Sequence, residues 1–230
     1  AFKAAAGAGL AIIMPDTSPR GAGVQGEDKA YDFGTGAGFY IDATTPVFAP
    51  NYQMFTYVAK ELPALVEAEF GVSHELRSVF GHSMGGHGAL TLAFKEPEAW
   101  ASVSAFAPIC HPTASAWGQK AFQGYLGSAQ AAVCAGHDAT ELMLAKGPFK
   151  SLGEILVDQG GADEFLAQGQ LRPEDLQRAC EAKGQPLLLQ TRPGFDHSYY
   201  FVSSFVDEHV AFHKRALTKK AAARAAAAQA

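Results

Sequence analysis

The stretch LRSVFGHSMGGHGALTLAFK, residues 76–95, decides the fold of this chain. Its first five residues are β-like, its last eight are helix-like, and a Gly-rich turn joins them. In this turn Gly81, Ser83 and Gly85 form a G-x-S-x-G pattern in the strand–turn–helix setting that the motif requires. Only glycine at the flanking positions lets strand and helix pass so closely, and the strained turn lifts the Ser83 hydroxyl clear of the sheet. The pattern predicts a nucleophile at Ser83 and a serine hydrolase.

The residue after the serine is expected to assist the same chemistry. Met84 stands at the predicted helix start, where the helix dipole favours negative charge. We expect its backbone N–H to point toward the oxyanion that forms on a substrate. A second donor normally comes from a loop after an early strand, and that loop is not visible in this sequence.

Composition limits the class of protein. The 230 residues are 48% hydrophobic, enough for one substantial core, and the formal net charge of −5 supplies no basic surface for nucleic acid. No apolar run approaches the roughly 20 residues that span a bilayer. The cysteines Cys110, Cys134 and Cys180 form no metal-like or redox pair, so we expect buried or idle thiols in a reducing compartment.

Strand-like and helix-like segments alternate along the chain. We expect buried strands at residues 10–14, 76–80, 100–106, 155–158 and 186–191. We expect helices at residues 54–70, 88–95, 173–183 and 201–217. Parallel strands need crossovers, and these cover both faces of a sheet. The alternation therefore predicts a doubly wound, mostly parallel α/β sheet with helices on both faces, and the Ser83 turn makes this an α/β-hydrolase fold.

The domain plan follows from this alternation. We expect one domain over residues 1–217 and an Ala-rich tail at residues 218–230. A central strand as early as residues 10–14, in a chain that opens on Ala1, suggests a truncated chain whose early strands are missing. The long aromatic segment at residues 15–50 is expected to fold over the carboxyl edge of the sheet. An insertion at residues 107–150 is expected to form a lid over the active site.

A serine nucleophile needs a base, and in this fold the chain order is serine, acid, histidine. His197 lies between the last predicted strand and the last helix, so its loop overhangs the edge where Ser83 lies. His82 is its nearest rival, but neighbours on a sharp turn point apart. We expect His209 and His213 to be surface residues of the last helix. The other histidines precede the acid region or lie beside the turn: His74, His87, His111 and His137.

The acid is less sharply defined. Asp163 follows a Gly-Gly turn in the loop where a triad acid usually lies, although it could equally cap a short helix. Asp158 ends an apolar run and belongs to the strand. Asp196 is weaker, because its side chain should point away from the adjacent His197. The residues alone favour Asp163 and leave Asp158 open.

Five long motifs resemble the S-formylglutathione hydrolase family, also called esterase D. They are PDTSPRG (15–21), DFGTGAGFY (32–40), GHSMGGHGAL (81–90), SAFAPIC (104–110) and DHSYYF (196–201). The resemblance, which covers residues 10–217, implies a cytoplasmic, cofactor-free homodimer. Its expected activity is cleavage of the small-molecule thioester S-formylglutathione to glutathione and formate. By position it implies a triad of Ser83, Asp163 and His197, and it places Trp117 near the substrate.

Two other functions compete with this interpretation. A general short-chain carboxylesterase or an acyltransferase of the same superfamily would use the same serine with another acyl acceptor or substrate. An inactive fragment would keep the motifs without turnover, because the loop that bears the second oxyanion donor in the family is absent from this sequence.

Overall fold

Four parallel strands form the central sheet and lie side by side in chain order. They are β1 (Val79–His82), β2 (Val103–Phe106), β3 (Ile155–Gly160) and β4 (Leu187–Arg192). The computed structural model describes residues 1–73 and 75–228. Within it His82 pairs with Phe106, Phe106 with Asp158, and Gly160 with Arg192. This register brings the carboxyl ends of all four strands to one edge of the sheet.

Helices connect the strands. The described α-helices are α1 (Phe2–Ala8), α2 (Met54–Thr56), α3 (Leu62–Phe70), α4 (Met84–Lys95), α5 (Ala116–Leu126), α6 (Ala131–Cys134), α7 (Ala139–Lys146), α8 (Glu164–Ala167), α9 (Pro173–Lys183) and α10 (Tyr199–Ala227). A π-helical turn, Tyr57–Glu61, joins α2 to α3, so the helix expected at residues 54–70 is continuous but irregular. Among these helices, none is both long and apolar enough to cross a bilayer.

Two apolar clusters cover the two faces of the sheet. Side chains alternate between the faces of a strand, and β2 shows this directly. Val103 and Ala105 point into a cluster with α4, α7 and α9, whereas Phe106 points into a second cluster with α5 and α10. The doubly wound α/β sheet predicted from the sequence is confirmed.

The predicted strand at residues 10–14 is wrong. These residues belong to no strand, and Ile13 and Met14 are 46% and 66% exposed. Leu10 donates its N–H to Ala5 O at the end of α1 (2.9 Å), and none of the described strands pairs with residues 10–14. An apolar run becomes a strand only where a neighbouring backbone accepts its ladder of hydrogen bonds.

The expectation that His209 and His213 lie on the surface is also wrong. Both are buried in α10 against β2. His213 Nε2 and His209 Nδ1 lie 2.7 and 2.8 Å from Ser104 Oγ, and His213 Nδ1 lies 2.8 Å from Ser102 Oγ. The serines supply the hydrogen-bond partners that allow two imidazoles to be buried.

Buried neutral histidines make the fold sensitive to acid. His87 in α4 is 1% exposed, its Nε2 lies 3.1 Å from Phe39 O, and burial lowers its pKa to about 3. An unfolded histidine has a pKa of about 6.5, so between these values the unfolded chain binds more protons than the native one. The contribution of neutral His87 to the free energy of unfolding is therefore complete above about pH 6.5, and it decreases as the pH falls toward 3.

Replacement of His87 tests this pH dependence. His87→Gln keeps an N–H donor for Phe39 but cannot titrate, so we expect its free energy of unfolding to depend less steeply on pH. Urea unfolding of both proteins between about pH 5 and 7.5 measures the two slopes. Some slope remains in the variant, because burial also lowers the pKa of His213 to about 3. Identical slopes would contradict this prediction, because they would show that the pKa of His87 is the same in the folded and unfolded states.

Candidate active site

The turn after β1 has the strained geometry that its sequence predicts. Ser83 has φ 58° and ψ −119°, a conformation that residues other than glycine rarely adopt. Its N–H donates to Phe106 O at 2.9 Å, and its carbonyl accepts the first hydrogen bond of α4 from His87 N–H at 3.0 Å. The turn is thus fixed to the end of β2 on one side and to α4 on the other.

The two glycines of the G-x-S-x-G pattern are not equivalent. A Cβ at Gly81 would lie 2.1 Å from Gly85 O, so no side chain fits there. A Cβ at Gly85 would meet only Tyr40 Oη, at 3.7 Å, which is ordinary contact. The closely packed second position is Gly86, whose Cβ would lie 2.8 Å from Pro108 Cβ. The expectation that both motif glycines are required for space therefore holds for Gly81 and not for Gly85.

Met84 is the first residue of α4, as predicted for an oxyanion donor. The first N–H groups of a helix have no intrahelical acceptor, and the helix dipole makes this end positive. Because the Ser83 carbonyl accepts the His87 N–H, α4 begins directly after the serine. The Met84 N–H is therefore the first of these helix N–H groups to follow Ser83 along the chain.

Asp163 and His197 form a short hydrogen bond across two loops. His197 Nδ1 lies 2.6 Å from Asp163 Oδ2, and the Asp163 side chain is fully buried. Gln159 Nε2 donates to the same oxygen at 3.0 Å. The other oxygen, Oδ1, accepts the N–H groups of Phe165 and Leu166 at 2.8 and 3.3 Å. Asp163 therefore caps α8 and orients the imidazole with the same carboxylate.

The charge state of Asp163 follows from these contacts. Burial alone would raise its pKa, but hydrogen bonds from His197 and from the two backbone N–H groups outweigh burial and hold the pKa below its ordinary value. The carboxylate is ionised at neutral pH and can stabilise a positive charge on the His197 ring.

The His197 ring lies beside the serine turn. Its centroid is 4.5 Å from that of His82, the residue before Ser83. Burial, together with the nearby His197, lowers the pKa of His82 to about 4, so His82 is neutral at neutral pH and a poor base. In the described hydrogen bonds, none joins Ser83 Oγ to His197. Such contacts commonly tighten only when substrate is bound.

The other candidate acids point elsewhere. Asp158 accepts hydrogen bonds from Arg192 rather than from His197. Asp196 is exposed and accepts the Ser198 N–H at 2.9 Å. The thiols of Cys110, Cys134 and Cys180 are buried, and burial raises the pKa of Cys180 to about 12. His74 lies outside the described residues.

An open pocket of about 460 Å³ flanks His197, with Phe165 and Asp196 in its walls. Phe165 meets the His197 ring edge-on at a centroid distance of 4.8 Å and contacts Trp117 at 4.7 Å. Trp117, on α5, therefore reaches the pocket wall through Phe165. No sequence pattern points to Phe165 or Gln159, because both act through contacts that only the folded loops create. Within the described residues no cluster of three or more His, Cys, Asp or Glu side chains could hold a metal ion.

Comparison with known proteins agrees with this geometry. The Esterase family model matches residues 1–212. S-formylglutathione hydrolase from Bos taurus is 51% identical over 94% of this chain and 75% of its own length. The enzyme of that name from Paracoccus denitrificans is 50% identical over 91% of this chain and 72% of its own length. A solved structure of S-formylglutathione hydrolase from Agrobacterium tumefaciens has a TM-score of 0.88 at 43% identity, covering 94% of this chain and 76% of that chain.

The likeness extends along nearly the whole chain, at about half the residues identical and with the same fold. The chain therefore belongs to the S-formylglutathione hydrolase family of serine esterases.

Proposed function

We propose that this chain hydrolyses S-formylglutathione to glutathione and formate through an acyl-enzyme on Ser83. The observation that carries the proposal is the 2.6 Å hydrogen bond between Asp163 and His197, formed beside a strained serine. The relatives described above are S-formylglutathione hydrolases, which supports the choice of substrate.

In the first step Ser83 Oγ attacks the formyl carbon while His197 Nε2 takes the hydroxyl proton. Asp163 accepts the Nδ1–H of His197, which leaves Nε2 free as the base and stabilises the imidazolium. The Met84 N–H donates to the carbonyl oxygen as it becomes negative. When the C–S bond breaks, the glutathione thiolate leaves and His197 returns the proton to it.

In the second step water attacks the formyl ester on Ser83 and gives its proton to His197. The ester bond breaks, Ser83 Oγ regains the proton, and formic acid leaves and ionises to formate in the solvent. No redox change occurs, so the cycle needs only the side chains named and water.

The pocket beside His197 fits a thioester whose carrier extends across the surface. We propose that the segment at residues 107–150 shapes this pocket. Trp117 in this segment packs against Phe165, and we propose that the two rings together form the wall that the substrate contacts. Family membership further supports a homodimer in the cytoplasm, which sedimentation and cell fractionation would test.

Rates on two substrates test the proposed function. We expect the wild-type chain to hydrolyse S-formylglutathione with a kcat/KM at least about 100-fold above that for a short aryl ester, because binding of the carrier thiol adds transition-state stabilisation. Release of glutathione measured with a thiol reagent gives the first rate, and phenolate absorbance gives the second. Faster hydrolysis of the aryl ester would favour the general carboxylesterase, and transfer to added alcohol in place of hydrolysis would favour the acyltransferase.

A further inference from the structure

A cluster of buried charges lies beneath the two loops that carry Asp163 and His197. Asp158 on β3 is fully buried, and Arg192 at the end of β4 donates to its Oδ2 from Nε at 3.1 Å and Nη2 at 2.9 Å. Arg192 Nη2 also donates to Glu208 Oε2 on α10 at 2.5 Å. One guanidinium therefore joins two strands to the last helix.

The remaining neighbours make Arg192 the charge on which Asp158 depends. His209 Nε2 on α10 faces Asp158 Oδ2 at 3.5 Å, but burial lowers the pKa of His209 and keeps this ring neutral at neutral pH. The Arg192 guanidinium lies 3.9 Å above the Phe205 ring, which restricts its position further. A buried carboxylate without a compensating charge is strongly destabilising, so Asp158 holds Arg192 in place and Arg192 neutralises Asp158.

The main chain of the same arginine ties together the loops of the acid and the base. Arg192 O accepts the N–H of Gly161 at 2.9 Å and that of Phe195 at 3.3 Å. Phe195 O in turn accepts the N–H of Ala162 at 2.8 Å. The residues that directly precede Asp163 are thus hydrogen-bonded to the segment that precedes His197.

The two loops lie in close contact at Gly160. A Cβ at Gly160 would lie 2.5 Å from Asp196 O and 2.6 Å from Phe195 O. A movement of the Arg192 backbone therefore shifts both loops, and it changes the distance between Asp163 Oδ2 and His197 Nδ1.

We propose that Arg192, held by Asp158 and Glu208, is a positioning residue that sets the relative placement of Asp163 and His197. The proposal rests on the proposed function, since it concerns how that triad is held. Arg192 contacts neither the substrate pocket residues nor Ser83 in the hydrogen bonds and ion pairs of the described chain, so it acts through the loops. A displacement of about 1 Å in a catalytic constellation costs up to roughly 100-fold in rate.

Two variants test the role of the guanidinium. Arg192→Lys keeps the charge but loses the planar fork that binds two carboxylates at once. The double change Arg192→Met with Asp158→Asn removes both charges and leaves no buried carboxylate unpaired. For both we expect kcat per active site, counted by fluorophosphonate titration, to fall roughly 10- to 100-fold with KM nearly unchanged. The lysine variant should retain more activity than the double variant.

Arg178→Lys is the matched control. Arg178 also pairs with a carboxylate, Asp175, but its side chain is 68% exposed on α9, away from both loops. We expect its kcat and KM to equal those of the wild type. A merely structural role for Arg192 would reduce the number of titratable sites and leave kcat per site unchanged, and that result would overturn the proposal.

If the Arg192 variants do not fold, Glu208→Gln tests the positioning role of Arg192 instead. The Glu208 side chain is 53% exposed, so loss of its charge leaves the fold intact. We expect kcat per site to fall several-fold, and an unchanged kcat would overturn the proposal. All rates are measured on a short aryl ester as well as on S-formylglutathione. A wild-type chain active only on the ester would refute the proposed substrate while the test of Arg192 still stands.

Discussion

Replacing Ser83 with alanine is expected to abolish hydrolysis, with a fall in kcat on the order of 10⁶-fold, as for other serine nucleophiles. The reason is specific to this turn: Ser83 stands at φ 58° at the junction of β1 and α4, and the ring beside the turn, His197, is oriented by the ionised Asp163. Hydrolysis of a short aryl ester and labelling by a fluorophosphonate probe both measure the loss.

Two further variants serve as controls for Ser83→Ala. Ser204→Ala removes an exposed hydroxyl from α10 and should label and turn over as the wild type does. Ser83→Gly should be as inactive as Ser83→Ala but more stable by about 1–3 kcal/mol in urea unfolding, because glycine relieves the strained backbone. A wild-type chain that the probe does not label would support the inactive fragment, and an active Ser83→Ala variant would refute the nucleophile.

The sheet could be predicted from the sequence because its strands are local signals. The runs at residues 76–80, 155–158 and 186–191 are short, apolar and followed by turns, and each overlaps a strand in the structure with ends that differ by at most three residues. The run at residues 10–14 has the same pattern but no ladder partner among the described strands. The hydrophobic pattern of a sequence shows that a segment is apolar. Whether the segment becomes a strand depends on backbone pairing with a neighbouring strand.

Two of the three triad residues could be predicted because their signals are also local or follow from the order of the elements. Ser83 carries a local motif, and the loop of His197 follows from the order of the elements. Asp163 remained open beside Asp158 because both lie at the carboxyl end of one strand, and only side-chain direction separates them: one faces His197 and the other faces Arg192.

The buried histidines show what local pattern cannot reveal. The sequence predicts His209 and His213 to be surface residues of the last helix, but both are buried. Their partners, Ser102 and Ser104, lie more than 100 residues earlier in the chain. The nearest sequence signal is that Ser104 in β2 and Ser102 just before it stand at alternate positions in an otherwise apolar run, which predicts a polar partner across that face.

Asp163→Asn is the second large expected effect, a fall in kcat of about 10⁴-fold with the fold retained. The amide oxygen can still accept the N–H groups of Phe165 and Leu166, so the cap of α8 survives. The amide NH₂ then faces His197 Nδ1 and makes that nitrogen an acceptor. The ring proton is thereby forced onto Nε2, which can no longer take the proton of Ser83.

Stability measurements separate this tautomer effect from damage to the fold. The lowered pKa of Asp163 means that its carboxylate stabilises the native state above the ordinary aspartate pKa, and that this contribution is lost as the pH falls through the lowered value. Asp163→Asn should therefore lose part of the acid dependence of unfolding while remaining folded at neutral pH. Asp207→Asn, the same change at an exposed position of α10, should alter neither rate nor stability. Should Asp196→Asn cause the large loss instead, with Asp163→Asn near wild type, the acid has been misassigned, and Asp163 serves only to cap α8.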